Sequence, residues 1–570
     1  DSPTANGLDD GTGGTFSSNY AILNTLDQTG DLNNQVIVKD GGYGMRKSST
    51  GNTHVRSSIA ITTGKFYWEV KTTAATPDFH YGLYAEARTS AGGQFGELGT
   101  NYLGSSAETY GYWPHNTASG TSGYWRNGSS NLLTNLPQLE QNQILMFAYD
   151  YDNGKFWMGI NGVWFNNGSG VGDPTTGTFP LPVNTSLPID GTPVYPTFMH
   201  WNTEKAYVNF GQQPFVYQAP TGFKCLCADN MTIDVDKPTD YFAATKYTGS
   251  GTTPQTITTG FTPAMVWIKE TNGFHGAFVD TIRGAYNTIS TSRVDIAEDA
   301  GTAGVSGFPT GGFSLNGDGF YYVNRSSETY FSWAWKGGTA GGTANNAGTR
   351  ASTVSANLTS GFSVVTYNSG ASGDSIGHGT GKTPAMIWVK NRTGTNLDWM
   401  VWTRDYGSAE VINLNNTAAR STSGSNTFIT NVNSSTFTIG SSGIVTGNCV
   451  AYVFSDVPGF CKVGYYRGNL NNDGAFINTG FRPSMIIYRR EGGQWWFQFD
   501  KNTYPLNNNG TSITPAFAPN LQNGLFTANS ATDIVSNGFK FRTGDNASND
   551  TAEFLYIAMA EFPFKYARAR

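Results

Sequence analysis

The sequence is poor in charge and in long apolar runs. Only 13% of its 570 residues are charged, and 35 basic against 41 acidic side chains leave a net charge of −6. A chain without an excess of basic residues lacks the field that holds a polyanion, so we predict no nucleic-acid partner. No apolar run reaches the roughly 18 residues of a membrane-spanning helix, and no charged-then-apolar leader is visible. We therefore expect neither membrane insertion nor a signal peptide.

Cysteine and histidine are also scarce. The four cysteines are Cys225, Cys227, Cys449 and Cys461, and the one Cys-x-Cys pair lacks the second pair that a zinc site needs. No two of the six histidines lie within four residues of each other. We predict no metal site, no cofactor and no disulfide framework, and the pairing of Cys449 with Cys461 stays open.

Glycine and aromatic residues are abundant instead. The chain has 71 glycines, and 14% of its residues are aromatic. Asn-Gly dipeptides such as 153–154, 161–162 and 316–317 supply the positive φ angles of two-residue hairpin turns. This composition favours strands and turns over helices. We predict a chain that is nearly all β.

Residues 55–228 contain short strands whose order is informative. "GKFYWEVK" (64–71) places Phe66, Trp68 and Val70 on one face of a half-buried strand. "TYGYW" (109–113), "DYDNGKFWMGING" (150–162) and "NFGQQPFVYQAPTGF" (209–223) follow in that order. These segments resemble the SPRY (B30.2-like) domain. The resemblance implies a bent sandwich of two antiparallel sheets, a non-catalytic module whose loops at one end bind partners.

A ten-residue motif occurs three times in the remaining sequence. The copies are "GFTPAMVWIK" (260–269), "GKTPAMIWVK" (381–390) and "GFRPSMIIYR" (480–489). In each copy a tyrosine and a glycine-rich stretch precede the motif. A strand with alternating aromatic residues ends the copy. The prolines Pro263, Pro384 and Pro483 lie 121 and 99 residues apart. This period predicts a domain of about 100 residues that is used three times.

The motif predicts a central strand. Proline donates no hydrogen bond, so it is best placed at the first residue of a strand. The residues after it are apolar on both faces, which indicates a strand covered on both sides. We expect Trp267 and Trp388 to be core residues, and the following Lys or Arg to mark where the strand emerges from the core.

The triplet, the opening "DSPT" and the ending "MAEFPFKYARAR" (559–570) resemble a domain repeated in structural proteins of tailed phages, especially marine ones. The resemblance implies a concanavalin A-like jelly roll and a location on the virion surface, after assembly in the host cytoplasm. We therefore predict an all-β, multidomain chain of antiparallel β-sandwiches. Its predicted parts are an N-terminal extended docking arm (1–45), a SPRY-like β-sandwich (46–228), a linker (229–243), repeat 1 (244–340), a second linker (341–361), repeat 2 (362–461) and repeat 3 (462–570).

One segment matches the Gly-x-Ser-x-Gly motif of serine hydrolases. "GDSIG" (373–377) contains Ser375, and His378 follows it. A chain this rich in glycine and serine yields such a match by chance, and the nucleophile elbow needs a strand before it and a helix after it. We predict no catalytic residue here. Distant carboxylates that cleave a glycosidic bond stay an open alternative, because sequence does not place them.

Aromatic residues in polar, glycine-rich segments of the SPRY-like part are candidates for sugar binding. Sugar rings stack on aromatic rings, while their hydroxyls bond to polar side chains. The alternative is that these rings complete the second face of the sandwich. The candidate ligand-binding residues are Tyr112, Trp113, His115, Trp125 and Trp201.

The predicted function is that of a phage tail fibre or spike that binds a host surface glycan or protein without catalysis. The N-terminal arm would dock on other virion proteins, and a homotrimer is expected by family analogy alone. Recognition is expected through segments that differ between the repeats and through the SPRY-like loops. The alternatives are a capsid decoration or other structural virion protein and, third, a glycan depolymerase or esterase.

Overall fold

The computed structural model divides into two compact units, Asp1–Thr232 and Ile233–Arg570. Its helical segments, among the described residues, are single 3-10 turns at Asp40–Gly42, Ala228–Asn230, Pro238–Asp240 and Phe564–Tyr566. None of the described helical segments could cross a membrane. The structure describes residues 19–29, 36–46, 52–73, 79–86, 102–114, 123–128, 130–200, 205–294, 302–318, 322–393, 397–422, 426–503, 514–528 and 531–566.

The first unit is a sandwich of two antiparallel sheets. One sheet has the strand order β1-β4-β13-β6-β7-β8-β9, and the other has the order β12-β11-β10-β5-β14-β3-β2 with β15 added in parallel beside β5. The strands are β1 (Leu23–Gln28), β2 (Ile37–Lys39), β3 (Gly44–Arg46), β4 (Thr53–Ser57), β5 (Lys65–Thr72), β6 (Phe79–Ala85), β7 (Thr109–Trp113), β8 (Gly123–Asn127), β9 (Ser130–Leu136), β10 (Ile144–Asp150), β11 (Lys155–Ile160), β12 (Val163–Trp164), β13 (Val194–His200), β14 (Lys205–Asn209) and β15 (Lys224–Cys225).

The described part of the N-terminal region belongs to these sheets. Strand β1 pairs with β4, and β3 lies between β2 and β14. Arg56 of β4 is 1% exposed and forms an ion pair with Asp27 of β1, while its guanidinium lies 3.9 Å from the Tyr195 ring centroid. This differs from the extended docking arm expected for residues 1–45, because burial of apolar residues such as Leu23 holds the segment in the sandwich.

Glu69 of β5 explains how two SPRY-like motifs meet. Its carboxylate accepts hydrogen bonds from the backbone N–H groups of Val216, at 2.9 Å, and Tyr217, at 2.8 Å. The hydroxyl of Tyr67 donates a third bond at 2.9 Å. The closing segment of the unit is thereby held over part of the outer face of the second sheet.

The second unit contains the three repeats. Repeat 1 has strands β16 (Phe242–Thr248), β17 (Gln255–Thr258), β18 (Met265–Glu270), β19 (Ala277–Asp280), β20 (Ile289–Ser290), β21 (Gly304–Gly307), β22 (Gly312–Asn316) and β23 (Thr329–Trp335). Repeat 2, with the segment before it, has β24 (Thr343–Asn345), β25 (Ser352–Asn357), β26 (Phe362–Ser369), β27 (Ser375–Gly377), β28 (Pro384–Asn391), β29 (Met400–Thr403), β30 (Glu410–Asn413), β31 (Ser421–Thr422), β32 (Ile429–Val432), β33 (Thr436–Ile439) and β34 (Gly447–Ser455). Repeat 3 has β35 (Cys461–Arg467), β36 (Phe476–Asn478), β37 (Phe481–Arg490), β38 (Phe497–Asp500), β39 (Thr514–Ala516), β40 (Phe526–Ala528), β41 (Thr532–Val535), β42 (Gly538–Phe541) and β43 (Glu553–Pro563).

Each repeat is built from a main antiparallel sheet and a three-stranded sheet. The main sheets have the orders β16-β23-β18-β19-β20, β24-β25-β26-β34-β28-β29-β30-β31 and β35-β43-β37-β38. The small sheets have the orders β17-β22-β21, β27-β33-β32 and β36-β42-β41. The motif strands β18, β28 and β37 occupy the same interior position in the three main sheets. The predicted fold class, all-β with antiparallel sandwiches, is confirmed.

The segment 341–361 is not a free connection. Its strands β24 and β25 pair with each other, and β25 pairs with β26 along its whole length. The expected linker therefore extends the main sheet of repeat 2. Regular alternation in "STVSAN" (352–357) is the signal that the glycine-rich residues around it obscured.

The motif strands are covered on both faces, but by different partners. In β18, Val266 and Ile268 pack in a core with Phe313 and Leu315 of the small sheet of repeat 1. Met265 and Trp267 point the other way, into a core that residues of all three repeats share. Trp388 and Ile487 lie in this shared core as well, and Trp267 and Trp388 are each 1% exposed. Repeats 1 and 3 therefore each have a separate sandwich core, whereas the core of repeat 2 is continuous with the common one.

The basic residue that ends each motif does not mark the point where the strand emerges. Lys269 is 1% exposed, and Lys390 and Arg489 are fully buried. Burial lowers the pKa of Lys269 to about 7 and that of Arg489 to about 10. A buried cation is tolerated only when carbonyl dipoles or counter-charges surround it.

These three side chains cross the boundaries between the repeats. Each donates to at least one backbone carbonyl of a neighbouring repeat. The donor of repeat 1 bonds to repeat 3, that of repeat 2 to repeat 1, and that of repeat 3 to repeat 2. The acceptors are Leu521 O for Lys269 at 2.5 Å, Val294 O for Lys390 at 2.7 Å, and Asn413 O for Arg489 at 2.5 Å, with Ala418 O as a second acceptor for Arg489.

A second set of donors crosses the same three boundaries in the same sense. These bonds join Thr291 Oγ1 to Pro519 O, Trp399 Nε1 to Ser290 O and Trp496 Nε1 to Asn413 O, each at 2.8 Å. The three repeats therefore close into a ring about their common core. All four cysteines are buried and none forms a disulfide, so Cys449 and Cys461 do not pair.

The tyrosine before each motif has one role in all three repeats. The hydroxyls of Tyr247, Tyr367 and Tyr466 are buried and donate to backbone carbonyls of the segment before the closing strand. The acceptors are Val323 O at 2.7 Å, Val445 O at 3.1 Å and Ser548 O at 2.9 Å. Burial raises the pKa of each of these tyrosines well above 10.

Truncation of Trp388 to alanine is expected to destabilise all three repeats at once. Large-to-small substitution of a buried aromatic residue costs about 3–5 kcal/mol, and this ring lies in the shared core. Hydrogen exchange of amides in β18, β28 and β37 should accelerate together in Trp388→Ala. The control is Leu358→Ala, at a side chain that is 66% exposed. Acceleration confined to repeat 2 would show that the repeats unfold independently.

Stability of the second unit is expected to fall above pH 10. An unfolded tyrosine loses its proton near pH 10, whereas Tyr247, Tyr367 and Tyr466 keep theirs in the folded state, so the folded state binds more protons. Each tyrosine contributes a fall of about 1.4 kcal/mol per pH unit. Urea unfolding at pH 8, 10 and 11 measures the slope, and Tyr367→Phe should reduce it. Tyrosinate absorbance that appears before unfolding would contradict this expectation.

Candidate functional site

The structure places two of the five predicted sugar-binding residues deep in the first unit. Tyr112 and Trp125 are fully buried. The Tyr112 hydroxyl donates to Pro137 O, and Trp125 Nε1 donates to Pro182 O at 2.7 Å. Neither ring has an exposed face for a sugar to stack on. His115 and Trp201 lie outside the described residues.

Trp113 is also covered. It is 9% exposed, its Nε1 donates to Leu103 O at 2.7 Å, and the His80 ring is stacked on it with centroids 4.0 Å apart. The guanidinium of Arg126 lies over the same indole at 4.7 Å. The rings of "TYGYW" therefore fit the alternative interpretation, in which they complete the sandwich. They became candidates for sugar binding because their neighbours in the sequence are polar and rich in glycine.

Ser375 and His378 do not face each other as a catalytic pair. The backbone N–H of Thr349 donates to Ser375 Oγ at 2.9 Å. His378 is fully buried and its ring contacts Asn433 O at 3.1 Å and Thr380 Oγ1 at 2.9 Å. The serine starts the short strand β27 rather than a strand-to-helix turn. The geometry of a nucleophile elbow is therefore not formed here.

A different group of side chains lies beyond the end of the motif strand in repeat 1. We call it the aromatic–carboxylate cluster: Glu270, Phe274, Asp318, Tyr322 and Arg325. The rings of Phe274 and Tyr322 are in contact, with centroids 4.4 Å apart. The guanidinium of Arg325 lies 5.1 Å from the Phe274 centroid and 5.5 Å from that of Tyr322. Tyr322 is 39% exposed, so this ring is open to solvent.

The backbone at both rings is strained. Phe274 has φ +74° and Tyr322 has φ +52°, in the left-handed region that bulky residues rarely adopt. Such conformations cost about 1–3 kcal/mol each and are concentrated at binding sites and active sites. Two neighbouring aromatic residues that both carry this strain make this cluster a candidate site.

The carboxylates of the cluster have perturbed acidities. Desolvation raises the pKa of Glu270 to about 7, although the Arg325 guanidinium 3.3 Å away opposes the rise. Desolvation also raises the pKa of Asp318, whose Oδ1 is buried and accepts no hydrogen bond from the described residues. Perturbed acidity beside an exposed aromatic ring is typical of a functional site.

The other repeats lack this arrangement. The residue after the motif is Asn391 in repeat 2, which donates to Gly443 O at 2.7 Å, and Arg490 in repeat 3, which forms a 2.7 Å ion pair with Asp550. In each repeat the buried tyrosine donates to the carbonyl of an equivalent residue, and Tyr322 directly precedes that residue in repeat 1. The equivalent preceding residues are Ile444 in repeat 2 and Ala547 in repeat 3. The cluster is therefore a property of one repeat. Comparison of the copies was the sequence signal that could have found it.

Comparison with known proteins identifies the family of the second unit. A family model described as "Domain of unknown function (DUF7483)" matches residues 237–563 as one stretch that includes all three motif strands. The chain belongs to the DUF7483 family. The matched stretch of this DUF7483 protein falls inside the compact unit Ile233–Arg570, so the family domain includes the ring of three repeats.

Solved SPRY domains are similar to a third of this DUF7483 protein. The SPRY domain of human HERC1 has 13% identity and a TM-score of 0.23, over 33% of this chain and 96% of that chain. The PSpry domain of TRIM65 has 12% identity and a TM-score of 0.23, over 34% of this chain and 93% of that chain. No curated protein matches the DUF7483 protein.

Titration of Glu270 is expected to make stability fall between pH 4.5 and 7. The folded state keeps the carboxyl proton up to about pH 7, whereas the unfolded chain loses it near 4.5, so the folded state binds more protons in this window. Glu270→Gln should remove this fall, as measured by the melting temperature from pH 4 to 8. Asp236→Asn, at an exposed carboxylate of the same compact unit, should leave it in place. Identical pH profiles for wild type and Glu270→Gln would contradict the assignment.

Proposed function

We propose that this DUF7483 protein is a virion surface protein of a tailed phage, a tail fibre or spike, which binds a glycan on the host cell surface. The phage origin is supported by the resemblance of the repeats and of the chain ending to tailed-phage structural proteins. Docking on other virion proteins through the N-terminal region and assembly as a homotrimer belong to the same proposal.

The aromatic–carboxylate cluster is the observation that carries the binding function. The exposed Tyr322 ring offers an apolar face for a sugar ring, and Arg325 and Asp318 of the same cluster offer a donor and an acceptor. Weak contacts of this kind gain strength through the many copies on one particle.

The closed ring of repeats supports a role at an exposed surface. Its side chains cross every boundary between repeats, so the cluster is held on a rigid support rather than on a hinged arm. Rigid placement reduces the entropy that a binding site loses when a ligand is bound.

Substitution of Tyr322 by alanine is expected to weaken glycan binding by about tenfold or more, because loss of one stacking contact costs about 1.4 kcal/mol. Binding of the purified full chain to arrayed bacterial surface polysaccharides and to intact cells measures the effect. Tyr322→Phe should retain binding, because the ring remains.

The matched control is Trp495→Ala in repeat 3. Trp495 is 41% exposed and also contacts a second ring, Phe526, at 6.1 Å. Equal binding by Tyr322→Ala and wild type would refute the assignment of this site. Failure of native protein to bind any surface polysaccharide or cell would favour the alternative, a capsid decoration or other structural virion protein, which electron microscopy of the virion would locate.

Depolymerase activity is the second candidate, and the raised pKa of Glu270 is the observation that favours it. A carboxyl group that holds its proton near pH 7 can act as a general acid on a glycosidic oxygen. The Glu270 side chain is only 1% exposed behind Arg325, which favours binding over catalysis. Release of reducing ends from a polysaccharide that the chain binds, lost in Glu270→Gln, would establish the enzyme instead.

A further inference from the structure

A second group of polar side chains lies on the outer face of the second sheet of the first unit. Four basic residues of one sheet face form what we call the basic face: Lys39, Arg46, Lys71 and Lys205. All four are exposed. Within the described part of the chain, none of their side chains forms an ion pair or a hydrogen bond.

Strand register brings these residues together. Lys205 of β14 lies directly opposite Arg46 of β3. The next row crosses four strands, and each of its residues is opposite the one named after it. The residues are Lys71 of β5, Tyr207 of β14, Gly44 of β3 and Lys39 of β2. Like charges directly opposite each other destabilise a sheet. An acidic protein that nevertheless gathers four unpaired cations on one face has a feature that folding does not explain.

Gly44 creates a depression between these cations. A Cβ atom at residue 44 would lie 2.5 Å from Asp40 Oδ2 and 3.2 Å from a ring carbon of Tyr207. The Asp40 carboxylate and the Tyr207 ring therefore approach the Gly44 backbone closely, and a cleft of about 270 Å³ opens beside them. Its charged lining residues are Lys39, Arg46 and Lys205 with the single carboxylate of Asp40, and Tyr207 forms an aromatic wall.

We propose that the basic face binds a carboxylate-bearing sugar, such as a uronic acid residue of an acidic polysaccharide. Arg46 and Lys205 would receive the carboxylate, and the half-buried Tyr207 ring would contact the apolar face of the sugar. The cleft is slightly smaller than the roughly 300–1,000 Å³ of sites for drug-sized ligands, which suits one or two sugar rings. A concave cleft with an aromatic wall favours a sugar over a flat lipid surface.

This inference is independent of the aromatic–carboxylate cluster, which lies in the other compact unit. Failure of the cluster to bind glycans would leave the basic face untouched. Calorimetric titration of the full chain with tetragalacturonate, and with its methyl ester, tests this site, and variants within the basic face separate it from the cluster. Tetragalacturonate should bind and the uncharged ester should not, and binding should weaken as salt is raised.

Two variants approach the site by different routes. Arg46→Gln combined with Lys205→Gln removes charge and should weaken tetragalacturonate binding by about tenfold or more. Gly44→Val keeps every charge but fills the cleft, and should weaken binding to a similar extent. The control is Lys224→Gln, at an exposed lysine of the same unit outside the basic face, and it should bind as wild type does.

Several outcomes would overturn the proposal. They are equal binding of the ester and the acid, an equal loss in the Lys224→Gln control, and unchanged binding in a folded Gly44→Val variant. Inorganic phosphate that competes as strongly as tetragalacturonate would show general anion binding and would refute the sugar site. Binding of anionic lipid vesicles in preference to tetragalacturonate would assign the face to a membrane surface instead.

Discussion

The second unit depends on one recurring interaction, the hydrogen bonds from a buried cation to the backbone carbonyls of the next repeat. Lys269, Lys390 and Arg489 end the three motif strands, and each reaches into a neighbouring repeat. Burial of a charge costs free energy unless dipoles compensate it, and each side chain obtains part of that compensation from its neighbour. A cyclic set of three such dependences closes a ring, and the shared apolar core fills its centre.

The ring also accounts for where the copies agree and where they differ. Motif strands and the tyrosines before them are constrained by the two cores, and their contacts repeat from copy to copy. The ends of the motif strands carry no such constraint. There the copies have Glu270, Asn391 and Arg490, with three different local solutions. The interior contacts are the same in all three repeats, whereas the ends of the motif strands are free to differ and are available for recognition. In repeat 1 the end of the motif strand carries aromatic residues with strained backbone and carboxylates with raised pKa values.

Sequence patterns predicted much of this fold and little of the candidate sites. The β class, the three copies and the buried Trp267 and Trp388 followed from composition, internal repetition and apolar strands. The assignment of Lys269 and its counterparts to the strand exit was wrong, because a lysine has the same sequence signature at a surface and at a buried boundary between repeats. Tyr112 and Trp125 were chosen for their polar neighbours, but both residues lie inside strands β7 and β8 and are fully buried. The basic face was invisible because its residues are separated by as many as 166 positions, from Lys39 to Lys205.

The sequence by itself determined local properties. These are which segments form strands, where the hairpins turn and that one domain is repeated three times. Those properties depend on alternation, turn residues and repetition, which are local along the chain. Only the tertiary structure decided that the three repeats share a core, that their cations lock adjacent repeats, and that four distant basic residues share one sheet face. Such pairings follow from strand register and from the packing of sheets, which are non-local and which no single segment encodes.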